Sequence, residues 1–308
     1  MPTVAILLSD KRSGSTMLQT ELCRHSGIQH VETSPHTYSE THYWLMAAVL
    51  LGRSNHLFAG RKTYEGYGSR ADARALLLRL VTENVPDFQV PTTDEDLVFA
   101  GWEALCDRFG HTVFFEKSPQ FLAHWGALDL LLEWIGRTEH TVKIIGLVRN
   151  PMAVLYSARN LFGTDPDVRQ FAWLHAYKNL LAFEALVPDG TYMRARYEDV
   201  AADPHAFFGA FQDFLGVARE QQVGEAVHTG SFEKWRNDPS FGPIADSAVI
   251  RLAAHFGYDR EDFKFDTVHA APQTPPETPQ SATKLWVARQ RYRVLRPAVM
   301  RVRSMLRK

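Results

Sequence analysis

Between Lys11 and Thr16 the chain places two cations, three hydroxyls and a glycine at six consecutive positions, KRSGST. Residues of these types in a tight turn grip an anion. The small side chains let backbone N–H groups converge, the hydroxyls add donors and the cations add charge. The flanking sequence says how such a turn is held. Val4 to Leu8 is a continuous apolar run, the pattern of a strand covered on both faces of a parallel sheet, and the residues after Thr16 carry a helical pattern. Lys11, Arg12, Ser13, Gly14, Ser15 and Thr16 then gather at a helix N-terminus, where the backbone dipole favours negative charge. A phosphate-like group belongs there.

The nucleoside triphosphatase loop G-x-x-x-x-G-K-[ST] does not fit. With Gly14 as its second glycine, the first falls on Ser9 and the lysine on Ser15. A second segment has the same build as the first: Val142 to Asn150, VKIIGLVRN, is another buried-strand run that closes in Arg149-Asn150-Pro151. Asn150 is suited to capping a helix and Pro151 to its first turn. Arg149 at the strand's carboxyl edge and Ser157 about two turns into the helix are both within reach of one further phosphate. Either segment alone could be an ordinary strand–helix turn; together they imply a ligand with two separated anionic groups.

These residues carry a resemblance: from about Thr3 to Trp235 the chain resembles the sulfotransferases that use 3′-phosphoadenosine 5′-phosphosulfate (PAPS) and release the 3′,5′-bisphosphate PAP. KRSGST is similar to that family's 5′-phosphosulfate loop, and RNPMAVLYS to its 3′-phosphate motif, with Arg149 and Ser157 in matching places. FFEKSP, Phe114 to Pro119, resembles the E-K-[ST]-P strand end, and Arg196 to Val217 resembles the Y-E-D-L…P…F-L-G block. The resemblance implies that Arg12 lies beside the 5′ phosphosulfate and that Lys117 is the transition-state cation. Tyr197 and Lys234 match nucleotide-contacting positions of the protein-tyrosine branch. Glu40 lies in SETHYW, similar to the E-P-H-F-F element that carries the catalytic base in the heparan-type branch, with Thr41 where that branch has proline. Glu40 is thus the first choice of base among Glu32, Glu40 and Glu116, with Glu116 second; His36 and His42 flank the same region, and histidine serves in other branches. The donor brings its own reactive group, so no metal is expected.

The elements that must position these residues read as an α/β fold with a P-loop-like, mainly parallel central sheet and helices on both faces. The strands are expected at Thr3–Ser9, Ile28–Glu32, Thr112–Phe115, Val142–Leu147 and Tyr192–Arg196. Residues 1–269 form the sulfotransferase-like domain, with a helical insertion at about 39–110 on the acceptor side. Tyr38, Tyr43, Trp44, Phe58, Tyr64, Tyr67 and Trp102 there are equally candidates for pocket or core. A Pro-rich linker, 270–283, leads to a basic amphipathic tail, 284–308. From Ser281 onward there are nine Lys/Arg and no acid, so the preceding residues hold 25 Lys/Arg against 35 Asp/Glu, a net −10. Such a tail fits peripheral contact with an anionic membrane, or docking onto its own body or another subunit.

No apolar run reaches the length of a membrane span and the first strand begins at once, so a cytoplasmic protein is expected. Cys23 and Cys106 lack metal-ligand spacing and read as free thiols. The expected partner is a hydroxyl-bearing small molecule, sugar or glycolipid, with no nucleic acid. Two other functions share parts of the pattern. A P-loop-like nucleotide or small-molecule kinase would share the cradle but not its missing lysine; a non-catalytic nucleotide-binding scaffold would be recruited through the tail.

Overall fold

The computed structural model describes residues 2–53, 69–227 and 233–265. The linker and tail, and Phe58, Tyr64 and Tyr67, lie outside the described residues. Five parallel strands form one sheet in the order β2-β3-β1-β4-β5. They are β1 (Thr3–Ser9), β2 (Ile28–Gln29), β3 (Val113–Lys117), β4 (Thr141–Val148) and β5 (Tyr192–Arg196). Val4 to Leu8 have no exposed surface, as a central strand with helices on both faces requires. The sheet extends from β1 towards β3 and β2 on one side and towards β4 and β5 on the other. The carboxyl ends of β1 and β4 therefore mark the switch point where α/β sheets bind ligands.

The second strand is shorter than its sequence pattern. β2 is an edge strand paired only through Ile28 with Val113 and Gln29 with Phe114. Beyond it the N–H groups of Glu32 and Thr33 both donate to Asn84 Oδ1, at 3.0 and 3.1 Å, so a side chain replaces the ladder there.

The helices number α1 (Ser15–Leu22), α2 (Tyr43–Leu50), α3 (Arg70–Asn84), α4 (Asp94–Phe109), α5 (Trp125–Ile135), α6 (Pro151–Phe162), α7 (Pro166–Glu184), α8 (Asp199–Ala202), α9 (Pro204–Leu215) and α10 (Ser247–Ala254). Ser69 and Thr93 cap α3 and α4 by accepting from the N–H groups of Asp72 and Asp96. The insertion is a hydrophobic layer. Tyr43, Trp44 and Trp102 are fully buried, with the Trp44 and Trp102 rings 5.2 Å apart and the Tyr43 hydroxyl donating to Val98 O at 2.6 Å. Each ring removed from water contributes on the order of 1.5–3 kcal/mol. These three aromatics belong to the core.

Packing divides the described residues into two compact units, one within 2–149 and 175–227, the other within 150–174 and 233–265. The first holds the whole sheet. In the second, Asn150 caps α6 by accepting from the N–H groups of Met152 and Ala153, and its amide donates to Asp262 O at 2.7 Å. Met152, Ala153 and Leu155 pack there against Trp235 and Phe241. Among the described residues no helix is long and apolar enough to cross a membrane. Cys23 and Cys106 are free, and burial pushes both thiols up, Cys23 to about 12.

Candidate active site

The β1–α1 turn is fixed by contacts from distant parts of the chain. Ser13 N–H closes it onto Asp10 O at 3.2 Å, and Asp10 Oδ1 accepts from Lys11 N–H at 2.7 Å. Ser13 Oγ pairs with the Tyr177 hydroxyl at 2.9 Å, which also donates to Leu147 O at 3.0 Å and so fastens the turn to β4. Gly14 lies at φ +93°, and a Cβ there would fall 2.0 Å from Tyr197 Cε2. Only glycine fits under that ring. Gly14 supplies no side-chain cap to α1, so the first-turn N–H groups at Ser15 and Thr16 are left to the loop side.

Arg149 leaves the end of β4 beside this turn. Its Nη1 donates to Arg12 O at 2.9 Å, and its guanidinium stacks 4.3 Å over the Tyr197 ring. Burial, and then the charge of Arg149, lower the pKa of Arg12, which still stays protonated at neutral pH.

On the β3 side, Lys117 has no exposed surface, and its Nζ donates to Glu40 Oε1 at 3.0 Å and to Thr16 Oγ1 at 3.4 Å. Cation and carboxylate thus meet at the edge of the cradle. Glu40 Oε2 accepts from His42 Nε2 at 3.1 Å and from Gln120 Nε2 at 3.3 Å. Burial pushes the Glu40 carboxyl up, but the His42 hydrogen bond and the Lys117 charge outweigh it and hold the group at about 2. The pKa of His42 itself is lowered, by burial first and against the hydrogen bond and charge of Glu40. His124 is lowered to about 3, by burial first and then by Lys11 and His42.

The segment bearing Glu40 is tied down at several points. Tyr38, Ser39 and His42 adopt left-handed backbone at φ 61°, 55° and 52°. Ser34 Oγ donates to Glu40 O and accepts from His36 N–H, and the His36 and His42 rings stack at 3.8 Å. His42 N–H donates to Ser118 Oγ at 3.0 Å. Glu116, only 1% exposed, anchors this segment to the strand end, since its Oε1 accepts from Thr41 Oγ1 at 2.8 Å and from Ser118 Oγ at 2.5 Å.

Glu116 carries a pH signature. Burial raises its pKa from 4.5 to about 7, partly offset by the Ser118 and Thr41 hydrogen bonds. Between those values the folded chain holds a proton that the unfolded chain has released, so this contribution to stability is complete below about pH 4.5 and is lost as pH rises towards 7. Against Glu116→Gln, the wild type should lose about 1.4 kcal/mol per pH unit across that window. Urea unfolding at pH 4.5, 5.5 and 7 checks this; parallel stabilities at all three would show that Glu116 does not titrate there.

Lys11, Arg12, Ser13, Gly14, Ser15, Thr16, Glu40, Lys117, Arg149 and Tyr197 all belong to the unit that holds the sheet. Ser157 lies on α6 and Lys234 in an exposed turn beside the buried Trp235, both in the other unit. Sequence reasoning missed three polar side chains. Gln120 directly follows the EKSP element, a position that could have flagged it. His124 and Tyr177 stand in helical surroundings with no local signal. Glu32 is exposed and meets Arg108 at 3.5 Å.

A parallel α/β sheet carries a small-residue turn with two cations at its switch point, and a lysine–carboxylate pair at the edge of that turn. A family model described as the sulfotransferase family matches residues 5–221, and the chain belongs to that family. Among solved structures, the sulfotransferase domain from the curacin biosynthetic pathway is similar at 19% identity and a TM-score of 0.58, covering 84% of this chain and 99% of that one. The sulfotransferase domain from the Synechococcus PCC 7002 olefin synthase is similar at 23% identity and a TM-score of 0.56, covering 83% and 95%. Mouse sulfotransferase SULT7A1 complexed with PAP matches at 12% identity and a TM-score of 0.40, covering 98% and 88%. No curated protein matches the chain.

Proposed function

We propose that the protein transfers the sulfuryl group of PAPS to a hydroxyl acceptor and releases PAP. The observation that carries this reading is the placing of Lys117 between Glu40 and Thr16, which brings a carboxylate, a cation and the anion cradle to one point. The acceptor hydroxyl loses its proton to Glu40 as its oxygen bonds to sulfur; the bond from sulfur to the bridging phosphate oxygen breaks, and Lys117 and Arg12 take up the charge growing on that oxygen. Glu40 is preferred over Glu116 because Glu116 spends one carboxylate oxygen on Thr41 and Ser118 in a closed environment, whereas Glu40 keeps 13% of its side-chain surface open. His42 already donates its Nε2–H to Glu40, which suits a supporting role.

The donor's 5′ end is assigned to Lys11, Arg12, Ser13, Gly14, Ser15 and Thr16, and its 3′ phosphate to Arg149, with Tyr197, whose ring centroid lies 4.3 Å from the Arg149 guanidinium, as a nucleotide contact. Ser157 and Lys234 keep the 3′-phosphate roles that the resemblance gives them, on sequence match alone. Arg149→Ala should weaken PAP binding by about 1.5–3 kcal/mol, the scale of a charge-assisted hydrogen bond. Titration calorimetry decides, with labelled PAPS turnover measured alongside; wild-type PAP affinity in Arg149→Ala would sink the assignment. A cytoplasmic location and a tail that meets an anionic membrane or another subunit belong to the same proposal.

A further inference from the structure

Burial separates the aromatic residues near the site into two kinds. Tyr43, Trp44 and Trp102 are at 0% exposure, whereas Tyr38 is 67% exposed. It stands two residues before Glu40, and Lys117 Nζ lies 5.8 Å from its ring centroid. The ring therefore stands beside the lysine, on the segment that carries the acid.

Stability does not account for this placement. A cation at that distance lies near the outer limit of attraction to a ring face and adds little at an exposed site. The backbone, at φ 61° and ψ 30°, carries the penalty of a left-handed residue that is not glycine. That strain is sustained by the ties on both sides, from Ser34 to Glu40 O and His36 N, and from Ser118 to His42 N. Strained, over-tied backbone that holds an exposed aromatic beside reacting groups is the build of a ligand clamp.

We infer that Tyr38 is the acceptor-binding platform, taking the flat face of a ring that carries the hydroxyl and turning that hydroxyl towards Glu40. The inference rests on the sulfuryl-transfer reading for the identity of the site and adds the acceptor's class: a hydroxyl on, or next to, a planar aromatic ring or the C–H face of a sugar. A linear alkyl alcohol has no such face to lay on the phenol. Ring-on-ring contact adds selectivity beyond area alone.

Saturation-transfer NMR on the full chain tests it, with 2-naphthol, methyl β-D-glucoside and n-butanol as probes. Wild type should saturate the ring protons of at least one ring probe, Tyr38→Phe should match it, and Tyr38→Leu should bind that probe about tenfold more weakly, with n-butanol alike in all three. Which ring probe responds separates aryl from sugar acceptors. Absence of ring saturation in wild type, equal binding by Tyr38→Leu, or an equal loss for n-butanol would overturn the platform. PAP affinity measured on the same samples keeps the two readings apart. Failure to bind PAP removes the donor assignment, whereas intact PAP binding with no dependence on Tyr38 removes the platform alone.

Discussion

Glu40→Gln should lower turnover of PAPS by roughly 10²–10⁴ while PAP affinity stays close to that of wild type. The amide keeps the shape of the carboxylate and a hydrogen bond to Lys117, so what is lost is the proton acceptor. The pH dependence gives a second reading. Held at about 2, Glu40 is ionised throughout the working range, so the wild-type rate should show no acid limb from this group between pH 5 and 8. A histidine base would instead produce a limb in or just below that range. Full activity in Glu40→Gln, or an acid limb abolished by His42→Gln, would hand the proton to another group.

Lys117→Met is expected to be nearly as damaging to turnover and far more damaging to the fold. The ammonium is wanted most as the bridging oxygen becomes an anion, so its removal should cost at least about 10²-fold in rate. It also leaves the Glu40 carboxylate without its cation in a site where burial opposes ionisation. Breaking one side of a buried pair costs about 3–5 kcal/mol. The carboxyl should then titrate at higher pH, and any residual activity should gain an acid limb. Adding Glu40→Gln to Lys117→Met removes the stranded charge and should recover most of the stability but none of the rate. Recovery of turnover in the double variant, or a single Lys117→Met variant as stable as wild type, would show that the pair does not work as described.

How far the molecule could be read in advance depended on whether the deciding interactions were local. β1 and β5 fall at the residues expected, β1 because its apolar run ends at the polar turn that must leave the sheet. β2 ran short because its length is set by a neighbour and by the Asn84 side chain far along the chain. The cradle was legible because its residues are consecutive. Glu40 and Lys117 entered through two separate motifs, and their contact needed the fold. Gln120 follows a motif that could have pointed to it, whereas Tyr177 serves the site from a position whose sequence surroundings look like any helix. The aromatics of the insertion could not be sorted beforehand, since Tyr43 and Trp44 lie on a helix, α2, that is buried almost all round by other helices.

The β1–α1 turn is continuous in sequence but not in time. Ser13 meets the Tyr177 hydroxyl across 164 positions, and the ring over Gly14 comes from Tyr197, which follows the last strand. A chain still emerging from the ribosome would have made the cations, hydroxyls and glycine long before the two phenols that fix their shape. Closing such long loops is the slow, entropically opposed part of folding. The turn therefore takes its final shape only when β5 docks onto β4, and a donor that binds there, as proposed, should stabilise the last strand to join the sheet.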